Sequence, residues 1–232
     1  MTQNPYKPED IRPAVKAAWP ICLGYFPIGL ALGVLAEQAG IPWWAMAMMS
    51  ILVFAGSAQF ICVAMLAAGG SAAAIIGATF IINVRHTLMS SALAIYLRNI
   101  HRSFLALFAY GITDESFAVN MARFRSGDWN RYQALIVNHL ANSVWIVSTV
   151  GGVLAGQFIP AGALGIDFAL IGMFICLLVY QFYSRAHIIT AIVAAFVACI
   201  WALYVPGDSY IVGASICAAT GGFFLNNRRK SQ

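Results

Sequence analysis

The chain has 232 residues, 61% of them hydrophobic and 9% charged, with a mean hydropathy of +0.80. A soluble domain carries about 25% charged residues, and a core of this size cannot hide so much apolar surface from water, so part of the solvent must be lipid. The net charge of +5 comes from short basic clusters between apolar runs, which is how membrane-orientation signals look and not how a nucleic-acid-binding face looks.

The opening stretch "MTQNPYKPEDIRPAVK" is mixed in charge and contains Pro5, Pro8 and Pro13. It has no basic region followed by a short apolar run and a small-residue cleavage site, so residues 1–14 read as a cytoplasmic lead-in without a cleaved signal. A helix crossing the hydrocarbon core needs about 20 mostly apolar residues. Eight segments qualify, over 15–37, 43–67, 71–97, 103–122, 132–156, 166–184, 186–205 and 208–225. Their connections are short, with no room for a separate soluble domain. The fold class expected is therefore an all-α integral membrane protein: one polytopic helical bundle over 15–225, followed by a basic cytoplasmic tail over 226–232.

Lys7, Arg12 and Lys16 precede the first segment, Arg123, Arg125 and Arg131 separate the fourth and fifth, and Arg228, Arg229 and Lys230 end the chain. With eight full spans and the N-terminus in the cytoplasm, these clusters share the cytoplasmic side. Arg98, His101 and Arg102 would then lie outside, against the rule. Making segments three and four both re-entrant would bring that loop inside, but needs two long dips, so eight spans is the expectation. "GVLAEQAGIP" (33–42) resembles "GVLAGQFIP" (152–160), which suggests duplicated halves over 15–122 and 132–225, as transporters often have.

The five cysteines all lie in apolar runs without metal or redox spacing and read as small buried hydrophobes. No nucleophile–base pair, HExxH, GxGxxG or P-loop is present, so neither an enzyme nor a cofactor or metal site is expected.

Polar groups in membrane helices are costly: Arg or Lys at the centre costs about 2.5–3.5 kcal/mol on the insertion scale. They persist where they are paired or line a wet path. Arg85 lies in segment three, in "NVRH" with Asn83 and His86; Asp114 and Glu115 lie in segment four. One cation facing two acids suggests that Arg85 pairs with one of them. The other carboxyl would be free to carry a proton, with His86 as a relay, and an ion pair that merely orders two helices is the competing reading. Asn138 and Asn142 share a face in segment five, where they could line a substrate path or hold helices together. In "GYFPIGLALG" of segment one, Pro27 has no N–H, and Gly24 and Gly29 permit a helix break or, with Gly33, a close crossing. Gln59 sits in the small-residue stretch "FAGSAQF".

In their order and spacing, "GYFPIGLALG", "FAGSAQF" with "AMLAAG", "NVRH" and "YGITDESFAV" resemble the AzlC family, the large subunits of branched-chain amino acid exporters. The resemblance covers most of the chain and is strongest over 20–120. It implies export of leucine, isoleucine and valine, with methionine, driven by protons across the bacterial cytoplasmic membrane. It also implies a separately encoded small hydrophobic AzlD-type subunit as partner. The family's polar core falls on Pro27, Gln59, Asn83, Arg85, His86, Asp114 and Glu115. Members often carry Asp where this chain has Asn83. The candidate substrate-lining set is thus Tyr25, Pro27, Gln59, Asn83, Arg85, Asn138 and Asn142, with Asp114, Glu115 and His86 for proton coupling and Gly24, Pro27 and Gly29 for a helix break.

Overall fold

A computed structural model describes residues 11–159 and 185–204, with a few single positions besides. Within these residues the chain forms α1 (Arg12–Gln38), α2 (Trp43–Leu52), α3 (Gly56–Ala67), α4 (Ala72–Ala94), α5 (Arg102–Tyr110), α6 (Asp114–Ser126), α7 (Arg131–Gly156) and α8 (Arg185–Tyr204). The expected segments at 166–184 and 208–225 and the tail over 226–232 lie outside the described residues. Local sequence sets several ends. Pro13 opens α1, the Ser71 hydroxyl caps α4, and Asn130 and Gln133 form a reciprocal capping box on α7. Gly127 closes α6 at φ 83°, a left-handed conformation that glycine adopts without strain.

Only α1, α4 and α7 among the described helices are long and apolar enough to cross a membrane. α1 and α7 pack side by side along their length. Small residues set this seam: a methyl group at Gly29 would overlap Ser148, one at Gly33 would overlap the Thr149 carbonyl, and one at Gly152 would overlap the Leu30 carbonyl. Gly29 faces Ser148, Gly33 faces Gly152 and Glu37 faces Gly156, so the two helices run in the same direction. The glycines of the two "GVLA" stretches lie back to back at this crossing.

Segments two and four do not cross. Tyr96, just after α4, stacks on Phe124 near the end of α6 at 5.0 Å. Phe104 at the start of α5 meets Tyr132 at the start of α7 at 5.8 Å, with the Arg131 guanidinium over its ring. Hence α4 ends, α5 begins, α6 ends and α7 begins at one end of the bundle. α5 enters from that end, stops at Tyr110, and α6 returns to it. The opposite end receives α1 and launches α2. There Gln59 of α3 reaches back to Ser50 of α2 at 3.1 Å, across a break at 53–55. A straight helix would separate these two positions by about 13 Å. α3 therefore returns to the end where α2 began. From there α4, about 35 Å long by its residue count, crosses the bundle.

The described architecture is three crossings and two re-entrant hairpins, α2–α3 and α5–α6, entering from opposite ends. This corrects the expectation of full spans for segments two and four. It also differs from the alternative, which placed the dips in segments three and four. Arg98, His101 and Arg102 now share the end that carries Arg12, Lys16, Arg123, Arg125 and Arg131, and the exception to the charge rule disappears. The helix break expected at Gly24, Pro27 and Gly29 is likewise elsewhere. α1 continues through Pro20 and Pro27, because its buried face, with Tyr25, Gly29, Leu32 and Gly33, is held against α7. The breaks fall at 53–55 and 111–113.

Candidate functional site

The two hairpin tips meet near mid-bundle, and their exposed backbone dictates the surrounding polar chemistry. A helix end leaves up to four backbone groups unpaired, and in lipid each must find a partner within the protein. At the end of α2, the Tyr110 hydroxyl donates to the Ile51 carbonyl. At the end of α5, Asn138 Nδ2 donates to the Phe108 carbonyl at 3.1 Å, and His139 Nε2 lies 3.2 Å from the Leu107 carbonyl. At the start of α6, Thr113 and Ser116 form a capping box, with the Ser116 hydroxyl 2.9 Å from the Thr113 N–H. The start of α3 has no side-chain cap.

Phe54 lies at the first break with φ 35°, a conformation that costs a bulky residue about 1–3 kcal/mol. Burial holds it there: it is 2% exposed, with Tyr25 on one side at 6.5 Å and Tyr110 on the other at 6.4 Å.

Arg85 of α4 stands between the tips. Its Nη1 is 2.7 Å from Asp114 Oδ2 at the first position of α6, and its Nη2 is 2.6 Å from Ser57 Oγ in the first turn of α3. One cation thus joins both hairpins. Arg85 Nε is buried without a partner. Glu115 is not paired with Arg85. It is exposed, and its Oε2 accepts from the Tyr25 hydroxyl at 2.5 Å. That hydroxyl also lies 2.7 Å from Thr113 Oγ1, which ties α1 to the second hairpin.

The remaining candidates divide. Gln59 is buried between Trp145 Nε1, 2.8 Å away, and Ser50, which in turn lies 2.9 Å from Thr149. It clips the arms of the first hairpin to α7. Asn138 is fully committed: besides capping α5 it accepts from Asn120 Nδ2 at 2.9 Å, while Asn120 accepts from Trp129 Nε1 at 2.9 Å. The structure gives Asn138 a capping role at the end of α5. Asn142 is buried, and its Nδ2 has no partner. Asn83 is half-buried, and its Oδ1 has none. His86 is half-buried beside Arg85 and takes no part in the pair. Gly24 and Pro27 are exposed on the outer face of α1, away from the tips, because the face with Tyr25 and Gly29 is the one that packs. Gly29 acts as a close-packing position.

Sequence reasoning missed Tyr110, Thr113, Ser116 and the Ser50–Thr149 pair. Thr113 and Ser116 carried a readable signal, since Thr-x-x-Ser just before two acidic residues is how a helix start looks. The other three carried none, because their partners are distant in sequence.

Among the described residues, three crossings, a charge pair and two opposed hairpins define a multi-pass membrane protein with a polar centre. Comparison with known proteins is consistent with that class and narrows it. The family model described as "AzlC protein" matches residues 20–159, which span α1 through α7. The chain belongs to the AzlC family. It is 29% identical to the Inner membrane protein YgaZ of Escherichia coli (strain K12), covering 73% of this chain and 72% of that one. It is 23% identical to the Branched-chain amino acid transport protein AzlC of Bacillus subtilis (strain 168), over 85% and 78% respectively. An uncharacterized membrane protein of Archaeoglobus fulgidus is 32% identical over 60% of each chain. No solved structure matches.

Proposed function

We propose that this protein is a secondary active transporter that exports neutral, apolar amino acids of the leucine, isoleucine, valine and methionine type. It works as the large subunit beside a small hydrophobic AzlD-type partner in the bacterial cytoplasmic membrane, with proton movement as the driving force. The observation that carries the reading is the Arg85–Asp114 pair, held between the tips of two hairpins that enter from opposite ends. Hairpins that stop near mid-bundle leave a thin barrier at their tips, the arrangement in which broken helices place a substrate site in transporters.

A zwitterion offers one charge to Arg85 and the other to Asp114, so substrate and ion pair compete for the same two groups. Glu115, held by Tyr25 and not by a cation, is the acid left to exchange a proton. The aliphatic tail meets aromatic surface from Phe54, Tyr25 and Tyr110. Apolar pockets separate neighbouring side chains by only about 1–3 kcal/mol per methylene, hence the mixed substrate range. The end carrying Arg12, Lys16, Arg98, Arg102, Arg123, Arg125 and Arg131 faces the cytoplasm, and so does the N-terminus.

The B. subtilis relative, by its name, transports branched-chain amino acids, which supports the substrate class. The test feeds leucine- or valine-containing dipeptides to cells lacking their own exporters and follows the amino acid inside. Expression of the chain with the small subunit should lower the intracellular peak. An unchanged peak for leucine, isoleucine, valine and methionine alike would rule the reading out.

A further inference from the structure

Of the four half-helix ends at the two hairpin tips, three are closed by side chains: Tyr110 at α2, Asn138 and His139 at α5, Thr113 and Ser116 at α6. The fourth, the start of α3 at Gly56, Ser57 and Ala58, has no capping side chain. Its free N–H groups and the positive end of its dipole favour an anion. A second observation points the same way. Asn142 is 6% exposed, and its Nδ2 is buried with no partner. It lies on α7 between Asn138, whose Cβ backs Gly111 of the second tip, and Trp145, whose ring covers Gly56 of the first. Asn142 therefore lies on the face of α7 that backs both tips, next to the Tyr110 hydroxyl. Arg85 Nε, also buried and unpaired, adjoins the same helix start, because Arg85 Nη2 already bonds Ser57. Asn142 Nδ2 and Arg85 Nε are both donors, and an unmatched buried donor calls for an acceptor.

We propose that the start of α3, together with Arg85 and Asn142, seats the α-carboxylate of the transported amino acid. This rests on the amino-acid reading above, which gives the carboxylate to Arg85, and adds the backbone and the amide that share it. The ammonium end then points toward Asp114. Recognition requires a free carboxylate, and an amino acid amide with the same tail and the same ammonium is refused.

The test uses the full purified chain in detergent and reads ligand affinity from thermal stabilisation by L-leucine, L-leucinamide and isovalerate. Leucine should bind at least about tenfold more tightly than leucinamide, since bonds to a charged group are at stake. Asn142→Asp, which turns a donor toward the carboxylate into a like charge, should lose leucine affinity by at least the same factor. Equal binding of leucine and leucinamide overturns the carboxylate seat and leaves the amino-acid reading standing. So does a folded Asn142→Asp protein with unchanged leucine affinity. Binding of isovalerate but no amino acid, with no export in the dipeptide assay, overturns the reading beneath it as well. The two-ligand comparison on the unmodified chain decides the matter even if the variant does not fold.

Discussion

Neutralising Arg85 and Asp114 singly and then together separates a charge pair that carries substrate from one that only joins helices. Their side chains are 30% and 38% exposed and meet at 2.7 Å. Breaking a fully buried pair costs about 3–5 kcal/mol because a lone charge is stranded, and a solvent-exposed pair contributes about 0–1 kcal/mol. This pair lies between those limits, so Arg85→Met or Asp114→Asn alone should cost about 2 kcal/mol. For a chain of this size that lowers the melting temperature by about 4–8 °C. The double variant strands no charge, and its stability should return to within about 1 kcal/mol of the unmodified protein, a coupling typical of contacting residues. Export should behave differently. Both single variants and the double variant should fail to lower intracellular leucine in the dipeptide assay, because at least one end of the zwitterion lacks its counter-charge. A double variant that is stable and exports at the unmodified rate would show that the pair is a structural link, and the proposed mechanism would be wrong.

Three further outcomes follow from the packing. Gly33→Val should not yield a folded protein, since its new carbon would overlap the Thr149 carbonyl, whereas Gly24→Ala, with open space around it, should be tolerated and gain up to about 1 kcal/mol of helix propensity; size-exclusion profiles and melting temperatures check both. Asn138→Leu removes one hydrogen bond from the Phe108 carbonyl and one from Asn120 at once and should cost about 2 kcal/mol, while Asn142→Leu removes a donor with no partner and should cost less than about 1 kcal/mol in the same melt. Single cysteines at Asn99 and Ser126, in a background without other cysteines, should be labelled by an impermeant thiol reagent from the same side of the membrane, and one at Gly70 from the opposite side. Labelling of Asn99 from the side opposite to Ser126 would mean that segment four crosses and that the hairpin assignment fails.

The sequence alone determined that the chain lives in lipid, where its apolar segments lie, and that Arg85, Asp114 and Glu115 are the costly charges needing an explanation. Those conclusions follow from composition and from the transfer cost of each side chain, both of which are local. The start of α6 was also legible, because Thr113 and Ser116 cap within four residues. Direction, by contrast, came from long-range packing. Hydropathy measures how long an apolar run is and cannot say whether it continues or turns back. Segments two and four look like spans until Gln59 is found against Ser50 and Phe104 against Tyr132. Pro27 and Gly29 made α1 the obvious place for a break, yet its packing face against α7 outweighs one missing hydrogen bond. Meanwhile "LVFAG", which carries no proline, breaks where Phe54 can be buried between two tyrosines. The same long-range fit chose Asp114 over Glu115 as the partner of Arg85 and left Glu115 with Tyr25. Adjacent residues on a helix point about 100° apart, and which of them meets the cation depends on where α4 lies.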